Sequence, residues 1–117
     1  MLVDDEAVVR GVTSALLQDL GFEVDEAVDG LDAVERIRVA PNGYTLVVMD
    51  LTMPRMGGKE AFVEMRSLSS TVKILLFSGY SEEAVDALAR SPGYGGFLKK
   101  PFTADELQIA VSRALRR

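Results

Sequence analysis

Residues 46–58 run Leu46-Val47-Val48-Met49-Asp50-Leu51-Thr52-Met53-Pro54-Arg55-Met56-Gly57-Gly58. Four consecutive apolar residues leave no polar face, so Leu46 to Met49 reads as a strand buried on both sides. The run stops on a carboxylate, Asp50, and Pro54 to Gly58 reads as a loop. A strand covered on both faces needs helices above and below its sheet, which points to an α/β fold.

The flanking sequence repeats the theme. Ile74-Leu75-Leu76-Phe77 is a second buried run, ended by Ser78-Gly79. Met1-Leu2-Val3 ends at Asp4-Asp5 and is short for a buried strand, so residues upstream are expected to complete it. Phe22 to Val28 alternates loosely, and Gly96-Phe97-Leu98-Lys99 is a weaker strand before Lys100-Pro101. Between these runs lie helical stripes. Val8, Val9, Val12, Leu16 and Leu20 form the first, with Gly21 as its stop. Ala33, Val34, Ile37 and Ala40 form the second, after a turn signal at Asp29-Gly30 and before Pro41-Asn42-Gly43. Ala61, Phe62, Met65 and Leu68 form the third. Ser81 can cap a fourth, with Glu82 and Glu83 in its first turn, running to Ser91-Pro92-Gly93. Thr103 to Glu106 matches a capping box opening a fifth, continued by Leu107, Val111, Ala114 and Leu115.

Five strands alternating with five helices predict one doubly wound parallel sheet, joined by right-handed crossovers. The 117 residues fit one domain. Apolar residues make up 48% and charged residues 26%, which excludes a disordered chain. The net charge of -5 disfavours direct contact with nucleic acid or anionic membrane. With no cysteine and no histidine, thiol nucleophiles, histidine bases and most zinc chemistry are excluded. No run spans a bilayer and no signal peptide is visible, so the expected location is cytoplasmic.

In such sheets, sites lie beyond the carboxyl ends of the strands. There the sequence places Asp4 and Asp5, Asp50, Ser78, and Lys100-Pro101. Taken singly, each has a plain reading as a helix cap, a solvated strand end or a turn. Together they fit one chemistry. Clustered carboxylates repel each other, and a divalent cation with oxygen ligands, Mg²⁺ rather than zinc, relieves the repulsion. Lysine and a hydroxyl complete a cradle for a phosphoryl group, whose transfer needs positioning and charge neutralisation. An aspartate can itself be the nucleophile. Every strand end except the second carries a residue type this chemistry needs.

The pattern resembles the receiver domain of two-component response regulators over essentially the whole chain, residues 1–117. Leu2-Val3-Asp4-Asp5-Glu6 resembles that family's opening strand and acidic pair, and Asp50 to Gly58 its phosphoacceptor loop. Phe77-Ser78-Gly79-Tyr80 resembles the hydroxyl-bearing strand end, and Phe97 to Phe102 the lysine-proline-phenylalanine motif. The resemblance implies a flavodoxin-like receiver fold with strand order 2-1-3-4-5. Asp50 would accept a phosphoryl group from a phosphohistidine on a sensor histidine kinase or histidine phosphotransfer protein. Asp5, Asp50 and the carbonyl of Thr52 would ligate Mg²⁺, with Asp4 acting mainly through water. Lys100 would pair with a phosphoryl oxygen, its bond to Pro101 being cis. Ser78 would move toward the phosphoryl group and Phe97 swing inward, reshaping the face that meets an output domain, an output protein or a second copy of the chain. Serine and phenylalanine stand where many members carry threonine and tyrosine.

Such a module signals rather than turns over substrate. It can act alone or form part of a larger regulator or hybrid sensor kinase. A haloacid-dehalogenase-type phosphatase would need a second aspartate where Thr52 stands. A flavodoxin-like cofactor binder would need a phosphate loop where Asp4-Asp5-Glu6 stands. A degenerate receiver would lack key side chains that this chain has.

Overall fold

The computed structural model describes all 117 residues. Leu46–Asp50 forms β3 and Lys73–Ser78 forms β4, and the two pair in parallel from Leu46 opposite Lys73 to Asp50 opposite Phe77. β1 (Leu2–Val3) lies on the other side of β3, β2 (Glu26–Ala27) beyond it, and β5 (Tyr94–Lys99) beyond β4. The sheet is therefore five-stranded and parallel in the order β2-β1-β3-β4-β5.

Strand alternation divides the core in two. Val3, Val47, Met49, Ile74 and Leu76 face one layer, with α2 (Gly30–Val39) and α3 (Gly58–Leu68). Leu2, Leu46, Val48, Leu75 and Phe77 face the other, with α1 (Ala7–Asp19) and α4 (Ala104–Arg116). The continuous apolar runs are thus the two faces interleaved. Burying each such side chain contributes about 1.5–3 kcal/mol. The capping box is formed: Thr103 Oγ1 accepts from the Glu106 amide and Glu106 Oε1 accepts from the Thr103 amide. Gly21 takes φ +96° just past α1, a conformation that costs glycine little.

Three expectations need correction. There are four α-helices, not five. The segment after Ser81 makes a 3₁₀ turn over Glu82–Val85 and then irregular turns. Its anchors Val85 and Leu88 are three residues apart, which suits three residues per turn, and the Ser81 side chain provides no cap. The second strand covers only Glu26–Ala27, because the chain from Phe22 packs side chains against the core before it reaches the edge of β1. Asp29-Gly30 is the start of α2 and not a separate turn: the Asp29 carboxylate accepts from the Asp32 amide. Within the α1 stripe, Leu16 packs against the core but Val8 and Val12 do not face it. Thr13, Ser14 and Leu17 do, while Val8 is 82% and Val12 59% exposed.

Candidate functional site

Parallel pairing brings the carboxyl ends of β1, β3, β4 and β5 to one edge. Val3 pairs with Met49, so Asp4 follows one strand beside Asp50 at the end of the next. Phe77 pairs with Asp50, and Ser78 with Lys99, so Ser78 and Lys100 follow on the other side. Asp4 and Asp50 are buried and Asp5 is exposed, yet one oxygen of each lies within 4.8 Å of the others.

One cation faces this nest. Lys100 Nζ stands 3.2 Å from Asp50 Oδ2 and 3.9 Å from Asp4 Oδ2. Its backbone is fixed by a 2.7 Å bond from the Lys100 amide to the Ser78 carbonyl, and the Lys100–Pro101 bond is cis. Its ammonium also lies 4.9 Å from the centre of the Phe77 ring, which Phe102 meets edge-on. Phe77 is thus a floor beneath the lysine, a role invisible in a sequence where it ends an apolar run.

The nest is short of positive charge. Asp4 Oδ1 accepts from the Glu6 amide at 2.9 Å, but the buried Oδ2 has no hydrogen-bond partner. Burial pushes the Asp4 carboxyl above the ordinary carboxylate range. The Glu6 amide and Lys100 pull it down, the charges of Asp50 and Asp5 push it up, and the balance is upward. An orphaned carboxylate oxygen and two further carboxylates form an all-oxygen donor set, and such a set fits a hard divalent cation.

The other predicted residues fall around this nest. Thr52 is exposed, two residues past Asp50, with its amide 3.4 Å from Asp50 Oδ1. Ser78 is buried, and its Oγ accepts from the Tyr80 amide at 3.0 Å. Phe97 pairs with Leu76 in β5 and lies half-buried against the α2–α3 layer.

Sequence reasoning missed three residues. Arg10 donates to the Asp4 carbonyl at 2.8 Å and pairs with Glu26, tying the first acidic loop to β2. Its signal was a lone basic residue one turn into α1. Asp29 and Arg55 form an ion pair between the loop after β2 and the loop after β3. The second strand end therefore does carry a carboxylate, but Asp29 is spoken for and is not among the three acids of the nest. An apolar groove of about 500 Å³ also opens beside the site, lined by Val8, Val12, Leu16, Phe102 and the lysine itself.

The chain's similarities agree with this geometry. The family model described as "Response regulator receiver domain" matches residues 1–112. The chemotaxis protein CheY of Bacillus subtilis is 34% identical over 116 residues, covering 98% of this chain and 95% of CheY. The sensor kinase CckA of Brucella abortus is 33% identical over 117 residues, of which this chain spans all its own length but only 12% of CckA. The solved structure of the response regulator TrrA from Thermotoga maritima, in complex with Mg(2+)-BeF, superposes with a TM-score of 0.83 at 32% identity. That match covers 97% of this chain and 96% of the other. No helix is long and apolar enough to cross a membrane. The chain belongs to the response regulator receiver domains, the signalling modules that receive phosphoryl groups in two-component phosphorelays.

Proposed function

We propose that Asp50 is the phosphoryl acceptor. An Asp50 carboxylate oxygen forms a bond to phosphorus as the phosphorus–nitrogen bond of a partner's phosphohistidine breaks, and the imidazole keeps that electron pair. The observation that carries this reading is the placement of Asp50. It ends the central strand, is 5% exposed, lies within reach of two other carboxylates and takes the lysine at 3.2 Å. Asp5, Asp50 and the Thr52 carbonyl would hold Mg²⁺ directly, and Asp4 through water. The ion supplies charge neutralisation for the nest and the incoming phosphoryl oxygens. That the similar protein TrrA forms a complex with Mg(2+)-BeF supports Mg²⁺ as the ion.

Lys100 neutralises a phosphoryl oxygen from the opposite side, where its cradle of Phe77 and the Ser78 carbonyl holds it. Ser78 Oγ, now accepting from Tyr80, has its own proton free to donate to the acyl phosphate. That bond exists only with the phosphoryl group in place, so it favours the arrangement in which β4 and the following turn have shifted inward. Phe97, half-buried on the neighbouring strand, follows into the space this opens. The phosphoryl group thus shifts a population between two arrangements by its differential contacts.

The groove between α1 and Phe102 supports docking of the phosphodonor protein there. Val8 and Val12 are exposed apolar residues on a helix, and Lys100 forms part of the groove wall, so a partner seated on it faces the acceptor. A cytoplasmic setting and an output domain or protein acting on the Phe97 face complete the reading. Treatment with a small phosphodonor and Mg²⁺ tests it by mass spectrometry. The parent gains one phosphoryl group and Asp50→Asn gains none while remaining folded. A persistent mass gain in Asp50→Asn would place the acceptor elsewhere.

A further inference from the structure

Asp29 and Arg55 have no part in the chemistry assigned above. Asp29 follows β2 and is 3% exposed. Its Oδ1 caps α2 by accepting from the Asp32 amide, and its Oδ2 accepts from Arg55 Nε. Arg55 belongs to the loop between β3 and α3, three residues past Thr52, and is the one non-glycine residue with positive φ, at 63°. A second tie lies one residue further along both segments. The Gly30 amide donates to the Met56 carbonyl at 3.1 Å. The approach is so close that a Cβ on Gly30 would meet that oxygen at 2.2 Å. The start of α2 therefore grips one short stretch of the loop twice.

The loop has few other fixed points. The Leu51 amide donates to Phe77 of β4, and the Gly58 amide returns to the Leu51 carbonyl. Between them, the Thr52 amide turns back to Asp50 and the Met56 amide to Pro54. Across residues 52–56 the only hydrogen bonds to another element are the two that reach Asp29 and Gly30. The course of the chain at Thr52 is thus set by Leu51 on one side and, on the other, by Met53 packed against the core and by the grip on Arg55 and Met56. A left-handed arginine persists only where its surroundings hold it. Here a buried carboxylate does so.

We propose that Asp29 and Arg55 are a positioning pair for the metal-binding loop. By pinning the turn at Arg55 they fix the Thr52 carbonyl and so set the affinity of the nest for Mg²⁺. The inference rests on the assignment of Thr52 and Asp50 as ligands. It adds two residues that touch neither metal nor phosphoryl group and act through the loop.

Two substitutions separate this role from mere stability. Arg55→Gly removes the guanidinium but keeps the left-handed turn, and Asp29→Asn removes the charge but keeps an oxygen for the Asp32 amide. Mg²⁺ alone is titrated against the backbone amide signals of Asp5 and Thr52, with melting temperature recorded alongside. Each variant is expected to lose about tenfold in Mg²⁺ affinity, the scale seen when groups that orient ligands are removed. The double variant should lose no more than either single one, because the same interaction is removed twice. Arg55 is exposed, so its replacement leaves the core intact even if Asp29→Asn loosens the start of α2. The proposal is overturned if the parent binds Mg²⁺ and Arg55→Gly binds it within about twofold as well, or if the two losses multiply in the double variant. If the parent itself does not bind Mg²⁺, the ligand assignment fails first and takes this inference with it.

Discussion

Asp4 and Asp29 are both buried carboxylates, each just past a strand of the same parallel sheet, and their surroundings treat them in opposite ways. Both oxygens of Asp29 are used, one by the Asp32 amide and one by Arg55. Burial pushes its carboxyl up, but Arg55 and the amide more than offset this and hold it below the ordinary range. Asp4 has one satisfied oxygen, one without a hydrogen bond, and two like charges beside it. Its carboxyl is held above the ordinary range. The fold therefore gives Asp29 a cation of its own and makes the three carboxylates of the nest share one lysine. A charge deficit kept in a buried site costs stability, and on the proposed function a bound divalent ion would offset it.

The strongest way to break this contrast is to remove the lysine. Lys100→Ala deletes the only cation within 4 Å of the nest's carboxylate oxygens. Phosphoryl uptake from a small donor should slow about 100-fold, as when a preorganised charge is taken from a developing transition state. Mg²⁺ should still bind, because the carboxylates remain. A time course by intact mass, run beside Arg55→Gly, ranks the two cations. If Arg55→Gly were the slower, the nest would not be where the chemistry occurs.

Melting curves sharpen the same contrast without any chemistry. Asp29 has a depressed carboxyl in the fold, so its stabilisation is present above the unfolded value of about 3.9 and is lost as pH falls through the folded one. Asp4 is raised in the fold, so its charge opposes folding at neutral pH, and that penalty disappears in acid below about 3.9. At pH 7 without Mg²⁺, Asp4→Asn should raise the melting temperature by about 4 °C and Asp29→Asn lower it by a similar amount. In acid both differences should shrink. Mg²⁺ at about 100 times its dissociation constant should stabilise the parent by about 2.7 kcal/mol and erase the advantage of Asp4→Asn. Two substitutions moving melting temperature in the same direction would show that Asp4 is not deprived of charge partners.

Much of this was legible in the sequence, for a physical reason. Buried parallel strands announce themselves as unbroken apolar runs, and whatever ends each run must lie on the site edge. Asp4, Asp5, Asp50, Ser78 and Lys100 were therefore readable as a set before any coordinates. The strand order came from the family resemblance, because periodicity does not say which strands are neighbours. Pairings between loops were not readable either. Nothing local links Asp29 to Arg55 across 26 residues, and Asp29-Gly30 carries the same signal whether it makes a turn or caps a helix. Apolar spacing was enough to find α1, but it does not say which face of the helix meets the core. Val8 and Val12 face outward, and Thr13 and Ser14 are buried instead. The fourth helix failed because two anchors and an unused cap do not outweigh the cost of ordering an α-helical turn.

The same contrast extends to the far side of β3, where ties are fewer. Ser78 bonds only to its own turn through its hydroxyl. Ser78→Ala should slow phosphoryl uptake by about tenfold, since one charge-assisted hydrogen bond to the phosphoryl group is at stake. It should abolish the phosphorylation-dependent change in amide exchange along β5. Retention of that change would assign the coupling to Lys100 alone.

The smallest expected effect lies at the 3₁₀ turn. Tyr94 of β5 donates its hydroxyl to Glu82 Oε2 at 2.8 Å, and Arg117 covers its ring at 5.5 Å. Burial and the Glu82 carboxylate both raise the phenol, so the proton stays on the tyrosine at neutral pH and the bond keeps its direction. Tyr94→Phe removes one bond to a partly exposed carboxylate, a loss of about 0.5–1 kcal/mol. Because that bond joins the turn to the sheet, the loss should appear locally, as about threefold faster amide exchange over residues 82–91. The Gly30 and Leu51 amides, which hold the acceptor loop from the other flank, should exchange as before. If they quicken equally, the two flanks open as one unit, and the division between a clamped half that binds and a looser half that switches does not hold.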